Sequence, residues 1–226
     1  MSLSIRIIPI LLKRNGSLVK GKQFAAWRTV GHPLQAARIH AAREVDELML
    51  LDIACRSPDL RMLDQLTREA FTPITIGGGI SSLDDMDAVF AAGADKVCIK
   101  AKSFITAASN RYGVQAVCAS LEIRDGDVVQ QAIELENLGA GEILLQSVER
   151  DGMMAGYDLD AIEKVSHAVN IPIIASCGCG TYQHMIEAVQ AGASAVAAGS
   201  MFAFTEATPL GAANYLREHG IKTRIH

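Results

Sequence analysis

Short apolar runs alternate along this chain with longer runs in which apolar residues recur at helical spacing. Short apolar runs bounded by turn residues predict buried strands, and the longer runs predict amphipathic helices. Helical patterns of this kind lie over residues 33–45, 82–93 and 157–169. The strand candidates number eight and cover residues 5–12, 47–53, 73–78, 96–100, 115–122, 142–148, 171–176 and 195–200.

Eight strand–helix units predict an α/β fold with a parallel sheet closed on itself, the (βα)8 or TIM barrel. An open doubly wound sheet is the alternative. That fold usually has fewer strands and a glycine-rich turn after the first one, which this sequence lacks. Barrels commonly reach this length undivided, so we expect residues 1–226 to form a single domain.

A sequence repeat favours a barrel built from two similar halves. Residues 73–97 align without gaps with residues 172–196, at a constant offset of 99 positions. Each copy reads as a strand, a glycine-rich turn, a helix, a Gly-Ala pair and another strand. A two-fold half-barrel repeat is the simplest geometry for this pattern. Chance similarity between two βαβ units is the alternative, and the unbroken register weakens it.

Composition and charge narrow the classes of function. A net charge of −4 over 226 residues argues against a nucleic-acid partner, which would need a basic surface. No apolar run approaches the roughly 20 residues that cross a bilayer, so we expect no membrane partner. The five cysteines lack framework spacing, which indicates a reducing, cytoplasmic location. Cys177-x-Cys179 has no second ligand pair, so we expect neither a metal nor an organic cofactor.

Two glycine-rich turns, at residues 77–79 and 177–180, follow predicted strands and precede predicted helices. Glycine lets backbone N–H groups approach an anion, and barrels often bind phosphate at the ends of their last two strands. Two sites, one in each half, would suit a ligand with a phosphate at each end. The alternative is that these glycines only form tight turns. The candidate phosphate-binding residues are Gly178, Gly199 and Ser200 in one half, and Gly79, Lys100 and Ala101 in the other.

Four predicted strands begin with a charged residue, two of each sign: Arg6, Glu47, Lys96 and Glu142. Strand starts lie on the barrel face opposite the catalytic one, so these charges would form a ring at the floor of the barrel. A purely structural ion-pair cluster is one interpretation. The other is a polar plug at the entrance of a passage along the barrel axis.

The first strand ends at a position where barrel enzymes often carry a catalytic carboxylate, but the residue there is Leu12. The segments RIIP, NGSLVKG, DELMLLDI, GGGI, GADKV, GAGEILL, RDGMMAGYD and IIASCG together resemble the cyclase subunit of imidazole glycerol phosphate synthase, usually called HisF. The resemblance covers nearly the whole chain, in order. It implies a (βα)8 barrel with a class-I glutaminase (HisH-like) on its floor and ammonia passing through it to a phosphorylated substrate.

The resemblance also implies roles for individual residues. The floor charges match the family's ammonia gate, and Gly152 joins the phosphate contacts. The family's two catalytic aspartates correspond to Leu12 and Glu122, Asp151 matches another mouth carboxylate, and Lys20 matches a lysine near the mouth. Lys100-Ala101 replaces an Asn-Thr pair, and Met153 replaces a threonine. The connection after the fifth strand is shorter than in the family.

Leucine cannot exchange protons, and losing a general acid or base costs roughly two to four orders of magnitude in rate. The pattern resembles a divergent branch of the family that accompanies a glutaminase and a sugar amidotransferase in making acetamidino sugars for surface polysaccharides such as O antigen. We therefore expect this chain to belong to the divergent branch. The alternatives are an authentic cyclase–lyase of histidine biosynthesis and a non-catalytic scaffold for the glutaminase.

Overall fold

The computed structural model describes residues 4–43, 45–124 and 127–224. Within them, the strands are β1 (Arg6–Arg14), β2 (Ser17–Lys22), β3 (Ala25–Gly31), β4 (Leu48–Asp52), β5 (Ile74–Gly77), β6 (Lys96–Ile99), β7 (Val117–Ile123), β8 (Glu142–Ser147), β9 (Ile173–Ser176) and β10 (Ala195–Ala198). The α-helices are α1 (Pro33–Ala41), α2 (Leu60–Glu69), α3 (Leu83–Ala91), α4 (Ile105–Tyr112), α5 (Val128–Asn137), α6 (Leu159–Ala168), α7 (Tyr182–Gln190), α8 (Ser200–Phe204) and α9 (Pro209–Glu218). None of the described helices is long and apolar enough to span a membrane.

Eight strands pair in parallel and close into a barrel. From β4 to β10 they follow chain order, and β1 pairs with both β4 and β10. At the closing seam Arg6 lies beside Ala195. The predicted α/β (βα)8 barrel is therefore confirmed, and each of the eight strand candidates forms a barrel strand. We call the face at the amino-terminal strand ends the floor and the opposite face the mouth.

Two details differ from the prediction. The last strand was expected to reach residue 200, but β10 ends at Ala198 and Ser200 begins α8. Gly199 takes φ −124° and ψ −64°, which turns the chain out of the extended conformation. The second difference is β3, which pairs with β2 as an antiparallel hairpin beside the mouth. The sequence of β3 has no clear alternation of apolar and polar residues, because most residues of this strand are exposed.

The two-fold repeat is confirmed in the structure. The elements β5, α3 and β6 recur as β9, α7 and β10, and every boundary is displaced by the same 99 positions. Both helices begin with a hydroxyl cap, because Ser82 accepts a hydrogen bond from Asp85 N–H and Thr181 accepts one from His184 N–H. The same local signals therefore fold both halves.

Side chains alternate between the barrel interior and the layer of helices. On β1, Ile8 and Ile10 point into the barrel, whereas Ile7 and Leu11 pack under the helices. Leu12 and Leu51 close the interior at its mouth end. The buried apolar side chains of the interior are Ile8, Ile10, Met49, Cys98, Cys118, Leu144, Ile174, Ala195 and Ala197.

His40 on α1 is a buried titratable group that predicts a pH dependence of stability. It is 7% exposed, lies edge-on to Phe202, and its Nδ1 has no hydrogen-bond partner among the described residues. Burial and the positive charges of Arg43 and Lys20 lower its pKa from 6.5 to about 4. As the pH falls from 6.5 towards 4, His40 therefore binds a proton in the unfolded chain but not in the folded chain.

We expect the substitution His40→Leu to reduce the acid sensitivity of folding. Native protein should lose about 2–3 kcal/mol more unfolding free energy than the variant between pH 7 and pH 4.5. Urea unfolding of both proteins at the two pH values measures this difference, and other titrating groups cancel in the comparison. Equal losses in the two proteins would contradict the assignment to His40.

Candidate functional site

The four floor charges form a closed ring around the barrel axis, which we call the floor ring. Arg6 donates to Glu47 and to Glu142, each at 2.6 Å. Lys96 Nζ lies 3.2 Å from Glu47 Oε2 and 2.8 Å from Glu142 Oε1. Thr75 Oγ1 donates to the remaining oxygen of Glu47 at 2.6 Å. Every cation thus contacts both anions, and the ring closes on itself.

The two acids of the floor ring are largely buried. The side chains of Glu47 and Glu142 are 3% and 7% exposed. Burial raises the pKa of the Glu142 carboxyl group, but the charges of Arg6 and Lys96 outweigh it, and the net pKa is lowered. Two positive and two negative side chains therefore balance one another in the ring.

The mouth contains a large concave cavity of about 680 Å³, which falls in the range of small-molecule sites. Its lining includes the carboxyl ends of all eight barrel strands and the β2–β3 hairpin. Sequence-predicted residues that it brings together are Leu12, Lys20, Gly79, Lys100, Ala101, Glu122, Asp151, Gly152, Gly178, Gly199 and Ser200.

The carboxylate at the strand end beside Leu12 is paired with a lysine. The neighbouring acid is Asp52, whose Oδ2 lies 2.9 Å from Lys13 Nζ. Lys13 also pairs with Asp59 at 2.6 Å. Lys13 follows Leu12 on β1 and therefore points to the outer side of the sheet, so Asp52 is drawn away from the barrel axis.

Glu122, at the end of β7, is bonded to two cations. Lys100 Nζ lies 2.7 Å from one oxygen and Arg124 Nε lies 2.9 Å from the other. Burial raises the pKa of the Glu122 carboxyl group, but the bonds to Lys100 and Arg124 outweigh it and lower the pKa. Glu122 is therefore held in its ionised form, in which it cannot donate a proton.

Lys20 and Asp151 form a second polar cluster on the other side of the mouth. Lys20 is 4% exposed and its Nζ donates to the carbonyl oxygen of Ile10 at 3.0 Å. Burial lowers the pKa of Lys20 to about 8, and it raises the pKa of Asp151. Phe24 N–H donates to Asp151 at 3.3 Å. Both groups can exchange protons more readily near neutral pH than free side chains can.

The glycines of the mouth are needed for close packing. At Gly199 an added Cβ would lie 2.2 Å from Lys20 Nζ, so glycine lets the ammonium group reach the end of β10. Gly178 lies against the carbonyl oxygen of Gly156, and Gly152 lies against that of Gly21. The tight-turn interpretation therefore accounts for Gly152 and Gly178 without any ligand, whereas Gly199 brings a charged group to the mouth.

Sequence reasoning missed two charged residues that line the mouth cavity, Arg14 and Arg124, and the neighbouring ion pair of Lys13 and Asp59. Alternation along β1 and β7 could have placed the first two beside Leu12 and Glu122. Asp59 contacts Lys13 only because the α2 N-terminus packs beside β1. The predicted short connection after β7 spans residues 124–127, of which 125 and 126 lie outside the described residues. Among the described residues, no three His, Cys, Asp or Glu side chains could together hold a metal ion.

Comparison with known sequences places these features in a family. Residues 6–208 match the family described as "Histidine biosynthesis protein". The chain belongs to this family. A relative from Campylobacter jejuni subsp. jejuni serotype O:2, named "Putative imidazole glycerol phosphate synthase subunit hisF2", is 37% identical over 246 aligned positions that cover 99% of both chains. The chain is therefore a HisF-like member of the histidine biosynthesis family, as the sequence motifs predicted.

Proposed function

We propose that this chain is the barrel subunit of a glutamine-dependent synthase. A class-I glutaminase (HisH-like) docks on the floor, ammonia passes through the floor ring and along the apolar axis, and a phosphorylated small molecule binds at the mouth. The observation that carries this proposal is a closed floor ring of Arg6, Glu47, Lys96 and Glu142 in the same barrel in which Leu12 has replaced the mouth acid.

The apolar axis supports the transfer of ammonia in its neutral form. Above the ring, the buried cluster that includes Ile8, Met49 and Leu144 consists of apolar side chains. A charged ammonium ion would pay a large desolvation cost in this environment, whereas neutral NH3 would not. The floor ring then acts as the charged entrance to a dry passage.

The mouth supports delivery of ammonia more than ring closure. Closing an imidazole ring needs several proton transfers, and paired carboxylates at the mouth usually divide these roles. Here the first carboxylate is Leu12 and the second, Glu122, is bonded to Lys100 and Arg124. Lys20 and Asp151 remain as the groups that can handle protons. The proposed role is the supply of ammonia for amidination of a surface-polysaccharide sugar, with a sugar amidotransferase as further partner, in the cytoplasm.

An authentic cyclase–lyase is the second candidate function. The name of the Campylobacter relative, an imidazole glycerol phosphate synthase subunit, favours it. The Lys20–Asp151 cluster also leaves some acid–base capacity at the mouth. The two candidates differ in the fate of the ammonia, which a cyclase incorporates into a ring.

Titration of the barrel into its cognate glutaminase tests the partner and the face on which it docks. We expect saturable stimulation of glutamine hydrolysis. Phe71, 97% exposed in the turn before β5, lies on the floor, and Phe204, 43% exposed on α8, lies near the mouth. The substitution Phe71→Asp should raise the barrel concentration needed for half-maximal stimulation by at least about tenfold, since a buried interface charge typically costs more than 1.4 kcal/mol. Phe204→Asp is the matched control and should change it less than about twofold. Failure of the native barrel to stimulate would contradict the proposal.

A further inference from the structure

We infer that the mouth binds a ligand with one phosphate group, held beside Lys20, and that Glu122 occupies the place where a second phosphate would bind. The inference rests on the proposed phosphate site at the mouth and specifies its ligand. A polyol or sugar phosphate monoester is the class that fits, and a bisphosphate is not.

The Lys20 half of the mouth carries a buried ammonium group that no described carboxylate contacts directly, although the charge of Asp151 acts on it from farther away. Among the described residues, no carboxylate oxygen lies within 4.0 Å of Lys20 Nζ, whose hydrogen bond goes to the carbonyl of Ile10. A buried charge is costly unless it is paired. Gly199 allows the ammonium group to lie at the end of β10, where a phosphate would complete the pair.

The opposite half of the mouth has cations that are already neutralised. Lys100 and Arg124 are bonded to different oxygens of Glu122, at 2.7 Å and 2.9 Å. A phosphate would have to displace this carboxylate or approach it, and like charges repel at that distance. Ala101 offers no hydroxyl group to compensate.

Tight packing accounts for Gly79 without a ligand. A Cβ at Gly79 would lie 2.6 Å from the backbone of Ser57, in the connection between β4 and α2. The chain itself therefore lies against this glycine. Gly79 differs in this respect from Gly199, where the close neighbour is the Lys20 ammonium group.

The rest of the cavity favours hydroxyl groups. Ser120 Oγ donates to Gln146 Oε1 at 2.7 Å, and Ser176 lines the same cavity. Hydroxyl and amide groups of this kind can exchange hydrogen bonds with a polyol. A cavity of about 680 Å³ also exceeds what inorganic phosphate alone would fill. These features indicate a sugar or polyol as the phosphate carrier.

Calorimetric titration of the isolated barrel with fructose 6-phosphate and fructose 1,6-bisphosphate tests the inference. We expect one ligand per chain and dissociation constants within about threefold of each other. Lys20→Met should weaken both by about tenfold or more, since a charge-assisted bond contributes at least that much. Lys102→Met is the matched control, because Lys102 pairs with Glu134 and does not line the mouth cavity, and it should change neither dissociation constant by more than about twofold. Glu122→Gln should strengthen the binding of the bisphosphate alone, by about tenfold, because it frees Lys100 and Arg124.

The outcomes separate this inference from the proposed function. The single-phosphate inference is overturned if the native barrel binds the bisphosphate tenfold more tightly than the monophosphate and Lys100→Met abolishes this difference. That result leaves the phosphate site intact. Absence of binding by both sugars contradicts the phosphate site itself. Binding of one phosphate in a barrel that fails to stimulate the glutaminase contradicts only the ammonia part. Glu122→Gln decides the question if Lys20→Met does not fold.

Discussion

Replacing Arg6 by methionine is expected to lower the free energy of unfolding by about 3–5 kcal/mol, because it leaves buried carboxylates without their main partner. Arg6 contacts Glu47 and Glu142 through separate nitrogens, both at 2.6 Å. Lys96 remains near both acids, at 3.2 Å and 2.8 Å, but one ammonium group cannot neutralise two carboxylates.

The matched control is Arg38→Met. Arg38 also makes a two-nitrogen pair with a carboxylate, Glu69, but its side chain is 58% exposed. Exposed pairs contribute little to stability because water screens them, so this substitution should cost only a small fraction of the loss in Arg6→Met. Urea unfolding of the three proteins measures both changes. Similar losses for the two variants would show that the floor ring is not the tightly coupled, buried cluster described above.

Replacing Leu12 by aspartate is expected to raise the rate of imidazole ring closure by about two to four orders of magnitude, the usual contribution of a general acid or base. The substitution restores a proton-handling group at the end of β1, facing the mouth cavity. The assay uses the diphosphate substrate of the HisF family with ammonium as the nitrogen source. It compares kcat, so that weak substrate binding does not enter the result.

The control is Leu12→Asn, which has nearly the same shape as aspartate but cannot exchange a proton. It should remain as slow as the native barrel. Two results would contradict the account: a native rate as high as that of Leu12→Asp, or an asparagine variant as fast as the aspartate variant. The first would favour the authentic cyclase, and the second would remove proton transfer from the explanation.

The barrel itself could be predicted from sequence because its signals are local and repeated. Each strand is a short apolar run, and the repeat from residue 73 to residue 97 returns at residue 172 with identical element boundaries. The floor charges could be predicted for a similar reason. The starts of all parallel strands lie on one face of a closed barrel, so Arg6 and Glu142 meet across the floor although they are 136 positions apart.

The ion pairs at the mouth could not be predicted in the same way. Glu122 contacts Lys100 and Arg124 because of side-chain directions at the strand ends, where strands give way to irregular backbone. Asp52, at the end of β4, is held by Lys13 on the outer side of the sheet. These side-chain directions depend on packing against α2 and on the β2–β3 hairpin. No periodic pattern in the sequence reveals that packing.

The fate of ammonia in the mixture of barrel and cognate glutaminase tests the central claim most directly. Glutamate, free ammonia and ring-closed product are measured together, in the presence of glutamine and the diphosphate substrate of the HisF family. The account predicts one free ammonia for each glutamate and no ring-closed product above the background of the glutaminase alone. Formation of ring-closed product in proportion to glutamate would contradict the account and identify the barrel as a working cyclase.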